Sequence, residues 1–448
     1  MRPTDASTNA AANAAADAHK TAHKTADKTA DKTATADAGI FGWDIGGAHV
    51  KACWLVAGQV RDVVQWPCPL WLGLDHLQRV LQAALARWPG LGAARHAVTM
   101  TGEMADLFAD REDGVRRIAA EIVEHLGAPS AQLANIGAPN AQPSRLHFFA
   151  GDAGWCDADT VGDHWAQVAS ANWLASARHA ALALLDQART STTTTEGVLV
   201  DIGSTTTDLI AFRGGTVLTR ARSDAQRLAT GELVYHGVVR TPLCALARRV
   251  PWQGATLNVM NEFFATTADV YRVTGELDDE HDQHPSADNA AKTVPASQQR
   301  LARMIGLDQR DGSPADWRAL AEAWRAEQVA ELRGQLARVM VMHGLGPKTV
   351  LVTAGCGDFL VPDLARELAD DLAHDPASAG TAGAKLRCVR YADAVSRRPP
   401  HSATLHGTAW AQVCAPSVAV AALLLRDCPA DTQPHNPMPT APKALEPC

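Results

Sequence analysis

The chain has 448 residues, of which 46% are hydrophobic and 20% charged, and its formal net charge is −8. This length allows two domains with substantial cores, and the composition is ordinary for a globular protein. The acidic balance argues against a general nucleic-acid binder, because the chain has no surplus of cations to neutralise phosphates.

The cysteines and the apolar segments indicate the cellular compartment of the protein. Its nine cysteines include no Cys-x-x-Cys pair, which favours reduced thiols in a cytoplasm over a disulfide framework or a zinc site. The most apolar stretch, residues 409–425, is short for a membrane span and contains Gln412, Pro416 and Ser417. We therefore expect no membrane partner.

Residues 1–38 are almost entirely Ala, Thr, Asp, Asn, Lys and His. Without large apolar side chains, this segment cannot bury enough surface to offset the entropy lost on ordering, so we predict a disordered tail. His19 and His23 are spaced for a metal chelate on a helix, but the composition favours a solvated tail.

The predicted folded region opens with the hairpin signal FGWDIGGAHVKACWL. An apolar run enters Asp44, turns at Gly46 and Gly47, and leaves past Lys51. Glycine lets backbone amides approach an anion, and a carboxylate at a strand end holds a divalent cation, usually through water. The first hairpin thus predicts a phosphate and metal corner, and the alternative is a buried strand that turns at Gly-Gly.

Further elements follow before the next hairpin. We predict helices at about 74–87 and 168–185, and a strand that ends near Thr101 and Glu103. A threonine-rich stretch then leads into VLVDIGSTTTDLIAF, a second hairpin of the same kind. Its candidate metal ligands are Asp201 and Asp208, and its candidate phosphate-binding residues are Gly203, Ser204, Thr205 and Thr206.

The remainder of the second half contains three notable segments. Residues 230–242 interleave polar groups, including Arg240, with apolar ones. In NEFFATTADVY, the residues Glu262, Thr266 and Asp269 are spaced to share one helix face, which suits Mg²⁺ or a substrate amine, or simply a solvated face. A strand, a turn containing Gly355 and Gly357, and a helix occupy 348–368; that turn either approaches an anion or merely turns tightly.

Alternating strands and helices predict an α/β architecture. Further helices are expected at about 297–305, 314–342 and 408–425. The predicted domain bounds are 1–38 for the tail, 39–195 for the first half, 196–398 for the second half with an exposed loop at 278–297, 399–427 for a C-terminal helical region, and 428–448 for a flexible end.

Taken in order, six segments resemble a known family. They are GWDIGGAHVK, TMTGEMADLFADREDGV, VDIGSTTTDLI, GELVYHGVVRTP, NEFFATTADVYRVTGEL and RLARMIGLD. They resemble the hydantoinase A/oxoprolinase-like branch of the sugar kinase/Hsp70/actin superfamily. More closely, they are similar to the family linked to tetrahydromethanopterin-dependent one-carbon metabolism, whose archaeal members make the methanofuran precursor (4-{4-[2-(γ-L-glutamylamino)ethyl]phenoxymethyl}furan-2-yl)methanamine. The resemblance extends over about 39–425.

This resemblance implies two ribonuclease H-like, actin/Hsp70-type half-domains that face a central cleft. It also implies an ether-forming transfer, in which the phenol oxygen of a glutamyltyramine-like acceptor displaces pyrophosphate from a furan-methyl diphosphate. Hairpin amides, Asp-bound Mg²⁺ and Lys51 or Arg240 would stabilise the leaving group. Glu103, Glu262 and Asp269 are the alternatives for the base that takes the phenol proton.

Two departures from the kinases of this superfamily bear on ATP. His49 stands where those kinases usually carry Ser, Thr or Asn, and the turn at 355–358 reads Gly-Cys-Gly-Asp rather than a Gly-Gly-rich adenosine motif. Both argue against ATP hydrolysis and leave ATP binding open. The alternatives are an ATP-dependent hydantoinase/oxoprolinase-like amidohydrolase or small-molecule kinase, and a nucleotide-sensing scaffold subunit.

Overall fold

The structure is a computed structural model that describes residues 39–127, 145–188, 195–374, 386–395 and 405–429. The predicted tail at 1–38, with its two histidines, lies outside the described residues, as does most of the predicted flexible end at 428–448.

The first sheet has six strands: β1 (Ile40–Ile45), β2 (His49–Val56), β3 (Gln59–Pro67), β4 (Arg95–Met100), β5 (Leu146–Phe149) and β6 (Trp155–Cys156). Their order across the sheet is β3-β2-β1-β4-β5-β6. The first three strands form an antiparallel meander, and β4 and β5 continue in parallel from β1. All six residues of β1 are buried, as expected for a central strand that is covered on both faces.

The second half begins with β7 (Glu196–Ile202), β8 (Thr207–Arg213), β9 (Thr216–Val217), β10 (Leu233–Val234), β11 (Arg249–Trp252) and β12 (Ala255–Asn258), and it adds β13 (Val350–Ala354) and β14 (Arg387–Arg390). Its sheet has the order β10-β8-β7-β13-β14, with β9 beside β8, and β11 pairs separately with β12. An antiparallel hairpin is again extended by two parallel strands. The two sheets therefore share one topology, which confirms the predicted pair of ribonuclease H-like halves.

Thirteen α-helices lie in the described ranges: α1 (Asp75–Arg87), α2 (Arg111–Leu126), α3 (Trp165–Val168), α4 (Asn172–Ala188), α5 (Asp224–Thr230), α6 (Leu243–Leu246), α7 (Thr267–Thr274), α8 (Val294–Met304), α9 (Pro314–Met342), α10 (Val361–His374), α11 (Tyr391–Val395), α12 (Leu405–Val413) and α13 (Ala415–Asp427). The bounds of α9 are those predicted. Ser313 and Asp316 form a capping box at its start, where Pro314 needs no amide partner.

Packing crosses the predicted boundary at 195/196 in both directions. Helix α4 precedes that boundary in sequence but lies against β8 and β9 of the second sheet, whereas α13 follows the second half and lies against β1, β2 and β4 of the first. The described residues from Gly39 onward accordingly belong to one contact unit. The division into halves describes the two sheets better than it describes the hydrophobic core.

The helical face predicted for Glu262, Thr266 and Asp269 is wrong. Helix α7 begins only at Thr267, and Thr266 is the residue that caps it through a capping box with Asp269. Glu262 lies in an irregular, exposed segment before that cap. The cap starts the helix later than side-chain spacing alone indicated.

The segment predicted as an exposed loop at 278–297 also differs. Helix α8 begins at Val294, and residues 278–293, here called the strap, lie partly against the first half. His284 Nε2 donates a hydrogen bond to the Ala48 carbonyl at 2.8 Å, and Gln283 Nε2 approaches the Gln65 carbonyl at 3.4 Å. The polar composition that predicted exposure instead provides hydrogen bonds between the halves.

The predicted single C-terminal helix at 408–425 is two helices. Chain direction changes at Cys414, and Pro416, which cannot donate a backbone hydrogen bond, falls in the first turn of α13. Among the described helices, none is long and apolar enough to cross a membrane.

Candidate functional site: two facing anion-binding turns

The turns that follow β1 and β7 have the same backbone arrangement. The Gly46 amide donates to the His49 carbonyl at 2.9 Å, and the Gly203 amide donates to the Thr206 carbonyl at 2.8 Å. Each turn then leaves its next two amides without an acceptor among the described residues: Gly47 and Ala48 in the first, Ser204 and Thr205 in the second. Consecutive unpaired amides in a tight turn form a concavity that suits an anion.

The predicted metal ligands occupy matching positions in the two hairpins. Asp44 faces Lys51 across β1 and β2, and Asp201 faces Asp208 across β7 and β8. Lys51 Nζ lies 3.7 Å from Asp44 Oδ2, so the first hairpin neutralises its own carboxylate. The second hairpin places two acids opposite each other.

Acidic groups from both halves act on one another at the base of the cleft. Burial raises the pKa of Asp201 to about 7; Lys51 opposes the rise, and Asp208, Asp44 and Asp358 add to it. Burial likewise raises the pKa of Asp44, against the influence of Lys51. Burial lowers the pKa of Lys51, but the neighbouring groups, Asp44 first among them, together outweigh it and raise the pKa, so the ammonium stays charged. This is an arrangement that an additional cation would stabilise.

Asp208 already has a cation. Arg227 Nη1 donates to its carboxylate, Arg227 Nη2 lies 2.7 Å from Asp224 Oδ1, and the guanidinium stacks on Trp173 with Cζ 4.6 Å from the ring centre. The Arg227 side chain is only 4% exposed, so these contacts are not screened by water. Asp208 therefore fits a metal site less well than Asp201 or Asp44, because the contact of Asp44 with Lys51 is longer, at 3.7 Å, and leaves Asp44 Oδ1 without a partner among the described residues.

A direct coordination sphere is not built from these aspartates. Among the described residues, one group of three ligand-type side chains has atoms within 4.8 Å of one another, and it lies elsewhere, on α2: Glu121, Glu124 and His125. Asp44 Oδ1 has no hydrogen-bond partner in the described chain. Asp44 and Asp201 thus fit a cation held through water, which is how the sequence predicted it.

Arg240 lies between the two turns, as a predicted site residue should. Its Nη1 is 3.5 Å from Thr205 Oγ1 in the second turn, and its Cζ is 5.2 Å from the ring centre of Trp71, whose neighbour Leu70 donates its amide to the Gly47 carbonyl of the first turn. Trp71 in turn contacts His284 of the strap, with ring centres 5.7 Å apart. The Arg240 guanidinium therefore lies beside the second turn and beside the segment that is bonded to the first.

His49 is buried beside the first turn and lacks a partner for Nε2 among the described residues. Burial holds its pKa well below the usual value, and His284, Lys51 and Arg240 lower it further. The imidazole is therefore neutral, in surroundings of positive charge that favour a bound anion.

Glu103 follows β4, next to the first turn, and is 1% exposed. Its Oε1 accepts a hydrogen bond from Ser170 at 2.6 Å, and its Oε2 has no partner in the described chain. Burial raises the pKa of this carboxyl. Together with Asp44 Oδ1, His49 Nε2, His96 Nε2 and Thr99 Oγ1, it gives five buried polar atoms in or beside β1 and β4 that have no partner among the described residues.

The other two candidate bases lie differently. Asp269 is 2% exposed and is held by Arg300 Nε at 2.8 Å and Ser297 Oγ at 2.7 Å. This fully bonded ion pair joins α7 to α8 and leaves the carboxylate committed to structure. Glu262 is exposed, in the irregular segment before α7.

The third glycine turn is explained by packing. The Gly355 amide donates to the Gln412 carbonyl at 2.9 Å and the Gly357 amide to the Ile202 carbonyl at 2.8 Å, so neither is available to an anion. Gly355 has φ +85°, and a Cβ there would overlap the Ile202 carbonyl. Burial raises the pKa of the Cys356 thiol to about 12, which does not suit a nucleophile.

Sequence patterns missed several residues of this site. Trp71 and His284 reach the cleft from a short turn and from the strap, neither of which has any periodicity. Ser170, Asp224 and Arg227 link Glu103 to Asp208, although they are far apart in sequence. An acidic residue three positions before an arginine, as at Asp224 and Arg227, was the one visible signal, and such pairs are common on helix surfaces.

The fold and site define an α/β protein of two ribonuclease H-like halves, each with a glycine turn that leaves two amides unbonded. The hydantoinase/oxoprolinase family model matches residues 95–373, which is more than half of the sequence. The chain belongs to the hydantoinase/oxoprolinase family.

Individual relatives add detail. The chain is 27% identical over 269 residues to (4-{4-[2-(γ-L-glutamylamino)ethyl]phenoxymethyl}furan-2-yl)methanamine synthase of Methanocaldococcus jannaschii, covering 60% of this chain and 72% of the relative. It is 28% identical over 171 residues to the synthase of the same name from Methanococcus vannielii, covering 38% and 75%. A ROK family glucokinase from Streptomyces griseus, in complex with glucose and AMPPNP, is similar at 12% identity and a TM-score of 0.41, covering 86% of this chain and 98% of the glucokinase.

Proposed function

We propose that this protein is a transferase of methanofuran-type cofactor synthesis. It joins a furan-methyl diphosphate to the phenol oxygen of a glutamyltyramine-like acceptor. The bond between the furan CH₂ and the diphosphate oxygen breaks, a bond from that CH₂ to the phenol oxygen forms, and diphosphate and a proton are released. The similarity to the two archaeal synthases supports this choice of substrates.

The observation that carries the proposal is the pair of turns with two unpaired amides each. A diphosphate has two phosphoryl groups, and the cleft offers one amide pair from each half. Arg240 lies between them, within 3.5 Å of Thr205. As the C–O bond breaks, charge develops on the leaving oxygens, and fixed donors aimed at that charge lower the barrier.

Asp44 and Asp201 would hold Mg²⁺ through water beside these turns. When bound, the ion neutralises part of the diphosphate charge. Lys51 remains protonated next to Asp44 and supports the same charge from the protein side. The neutral His49 adds no positive charge that would repel Mg²⁺. Its Nε2, which has no partner among the described residues, is available to the ligand.

Glu103 is the base that we propose for the phenol proton. Of the three candidates it alone adjoins the first turn with an unpaired oxygen, Oε2. A phenol of pKa ~10 needs a group placed to accept its proton, and the unpaired Oε2 of Glu103, in a carboxyl whose pKa burial raises, is so placed.

Family membership favours a second candidate, an ATP-dependent amidohydrolase of the hydantoinase/oxoprolinase kind or a related kinase. The same turns would then bind the phosphates of a nucleotide. The bonded amides of Gly355 and Gly357 provide no help to an adenosine at the third turn, so the structure gives this candidate less support.

The test is a product assay with synthetic furan-methyl diphosphate and γ-glutamyltyramine, with and without MgCl₂. We expect equal amounts of the ether, which is measured by mass spectrometry, and of pyrophosphate, which is measured by a coupled phosphate assay. Parallel incubations contain ATP and a hydantoin or 5-oxoproline. ADP formed there, without ether in the first assay, would replace the transferase by the second candidate, and tight nucleotide binding without turnover would indicate a sensing subunit.

A further inference from the structure

A line of buried polar contacts runs from Glu103 in the first half to the surface of the second half. Ser170 lies between α3 and α4, and its Oγ is 2.6 Å from Glu103 Oε1 and 3.3 Å from Asp224 Oδ2. Asp224 stands in the first turn of α5 and receives Arg227 Nη2 at 2.7 Å. The Asp224 side chain is 19% exposed, so this end of the line meets solvent.

Counting protons shows what these contacts require. The Ser170 hydroxyl has one proton and faces two carboxyl groups, which when ionised are only acceptors. If Glu103 and Asp224 were both ionised, only one of the two contacts of Ser170 Oγ could contain a hydrogen bond. Two negative charges would then lie next to a single hydroxyl. With Glu103 protonated, its Oε1–H donates to Ser170 Oγ, Ser170 donates to Asp224, and every contact has a proton.

The surroundings favour this distribution. Burial raises the pKa of Glu103, Asp224 of α5 raises it further, and Ser170 and Arg111 of α2 oppose the rise. Asp224 has the Arg227 guanidinium beside it and is therefore the anionic end. The protonated carboxyl at Glu103 then presents its unpaired Oε2 as an acceptor next to the first turn.

The backbone at Ser170 is consistent with a position selected for its hydroxyl. Its φ is +52°, the left-handed region that serine rarely adopts and that glycine adopts without cost. Ser170 is also 4% exposed, so its hydroxyl has no access to water in place of the two carboxyl groups. Strain of this kind persists where the surrounding structure fixes it.

We propose that Ser170 and Asp224 are positioning residues that form a proton relay behind Glu103. This inference rests on the proposed function in one respect, namely that an acceptor O–H meets Glu103 Oε2. As that proton passes to Oε2, the proton on Oε1 passes to Ser170 Oγ, and the Ser170 proton passes to Asp224. The net change is one proton from the acceptor to Asp224, from which it leaves to solvent.

The kinetic test compares Ser170→Gly and Asp224→Asn with the wild type. Glycine fits the left-handed backbone and removes only the hydroxyl, so we expect a folded protein. Both variants should lose about 10²-fold in kcat with KM changed less than twofold, in line with the usual contribution of a positioned proton-transfer group. In the pH–rate profiles of both variants, the change in kcat that arises from ionisation of the relay groups should be absent.

The matched control is Asp152→Asn. Arg222 Nε lies 2.6 Å from Asp152 Oδ2, so this variant removes another polar contact between the halves, close to Asp224 but outside the relay. Its kcat should stay within twofold of the wild type. Equal losses in all three variants would show that contact between the halves is what matters, and would overturn the relay.

A measurement without substrate separates this inference from the proposed function. Glu103→Gln mimics the protonated carboxyl, so its stability relative to the wild type should be unchanged near pH 4 and should rise as the pH increases. The reason is that a carboxyl with a raised folded pKa is stabilising only below its unfolded pKa near 4.3 and loses that contribution as the pH rises. A difference that does not vary with pH would overturn the protonated Glu103, whatever the product assay shows.

Discussion

The two hairpins share a backbone and differ in the side chains that face each other across the strands. In the first, Asp44 lies opposite Lys51, and in the second Asp201 lies opposite Asp208. The residue that closes each turn also differs, with His49 in the first and Thr206 in the second. Each half thus keeps the same amide cradle for an anion.

The difference shows how the halves divide the chemistry. The first hairpin contains its own cation and a neutral imidazole, while the second contains hydroxyls and an acid whose cation, Arg227, comes from α5. A topology used twice therefore places the same amide turn in each half, and the residues at equivalent positions decide which charges surround it.

The equivalence of Asp44 and Asp201 predicts the largest effect. Asp44→Asn and Asp201→Ala should each lower turnover by about 10²–10³-fold, because each removes a charge on which metal binding and leaving-group stabilisation depend. Circular dichroism should show both proteins folded, and Asp163→Ala, at an exposed acid, is the control. Unchanged turnover in either variant would remove that aspartate from the site and end the equivalence.

The two cations should have separable roles. Lys51→Met should raise KM for the diphosphate more than tenfold with little effect on stability. Arg227→Met should instead lower the free energy of unfolding by about 3 kcal/mol, because it leaves Asp208 and Asp224 without their buried partner.

Urea titrations and initial rates distinguish these two outcomes. The exposed Arg222→Met provides the control for losing an arginine near α5, with an expected change below about 1 kcal/mol. If Lys51→Met destabilised the protein as much as Arg227→Met does, the first hairpin would need its lysine for folding rather than for the ligand.

Asp201 should make stability depend on pH. Its pKa of about 7 in the folded state exceeds the unfolded value near 3.9, so its contribution is present at low pH and is lost as the pH rises between these values. With EDTA present, Asp201→Asn should nearly match the wild type at pH 4 and be more stable by about 4 kcal/mol at pH 8. Thermal unfolding across this range checks the prediction, and a difference of opposite sign would contradict it.

The smallest effect is expected at the third turn. Cys356→Ala should change turnover less than twofold, since the buried thiol is protonated and the turn amides are already bonded. A loss of tenfold or more would bring this turn into the reaction and restore the prediction that Gly355 and Gly357 contact phosphate.

Local signals in the sequence were sufficient for the sheets, the two turns and α9. Apolar runs, glycine turns and the Ser-Pro start at 313–314 act over a few residues, so their structures could be predicted. The helical face through Glu262 failed because a capping box at Thr266 starts the helix only at Thr267, and caps depend on side-chain hydrogen bonds rather than on periodicity. The sequence singled out Arg240 as a polar group among apolar ones, but it did not predict that Arg240 lies between the two turns.

The parts of the site that could not be predicted all depend on contacts between distant segments. Ser170 meets Glu103 and Asp224 only when α3, β4 and α5 come together. His284 lies in a polar segment whose composition predicts exposure, yet its hydrogen bond to Ala48 attaches the strap to the first turn. A single sequence shows that these residues are present, but it does not show that they lie close together in the fold.

The packing of α13 has a consequence for how the protein is made. The backbone at Gly42 in β1 touches α13 so closely that a Cβ there would overlap the Ser417 carbonyl, and β1 and Ser417 stand near opposite ends of the chain. During synthesis, the first sheet emerges from the ribosome early but stays uncovered on one face until α13 has been translated. The half that is made first is therefore completed last, and a truncation before residue 415 would leave that apolar face open to aggregation.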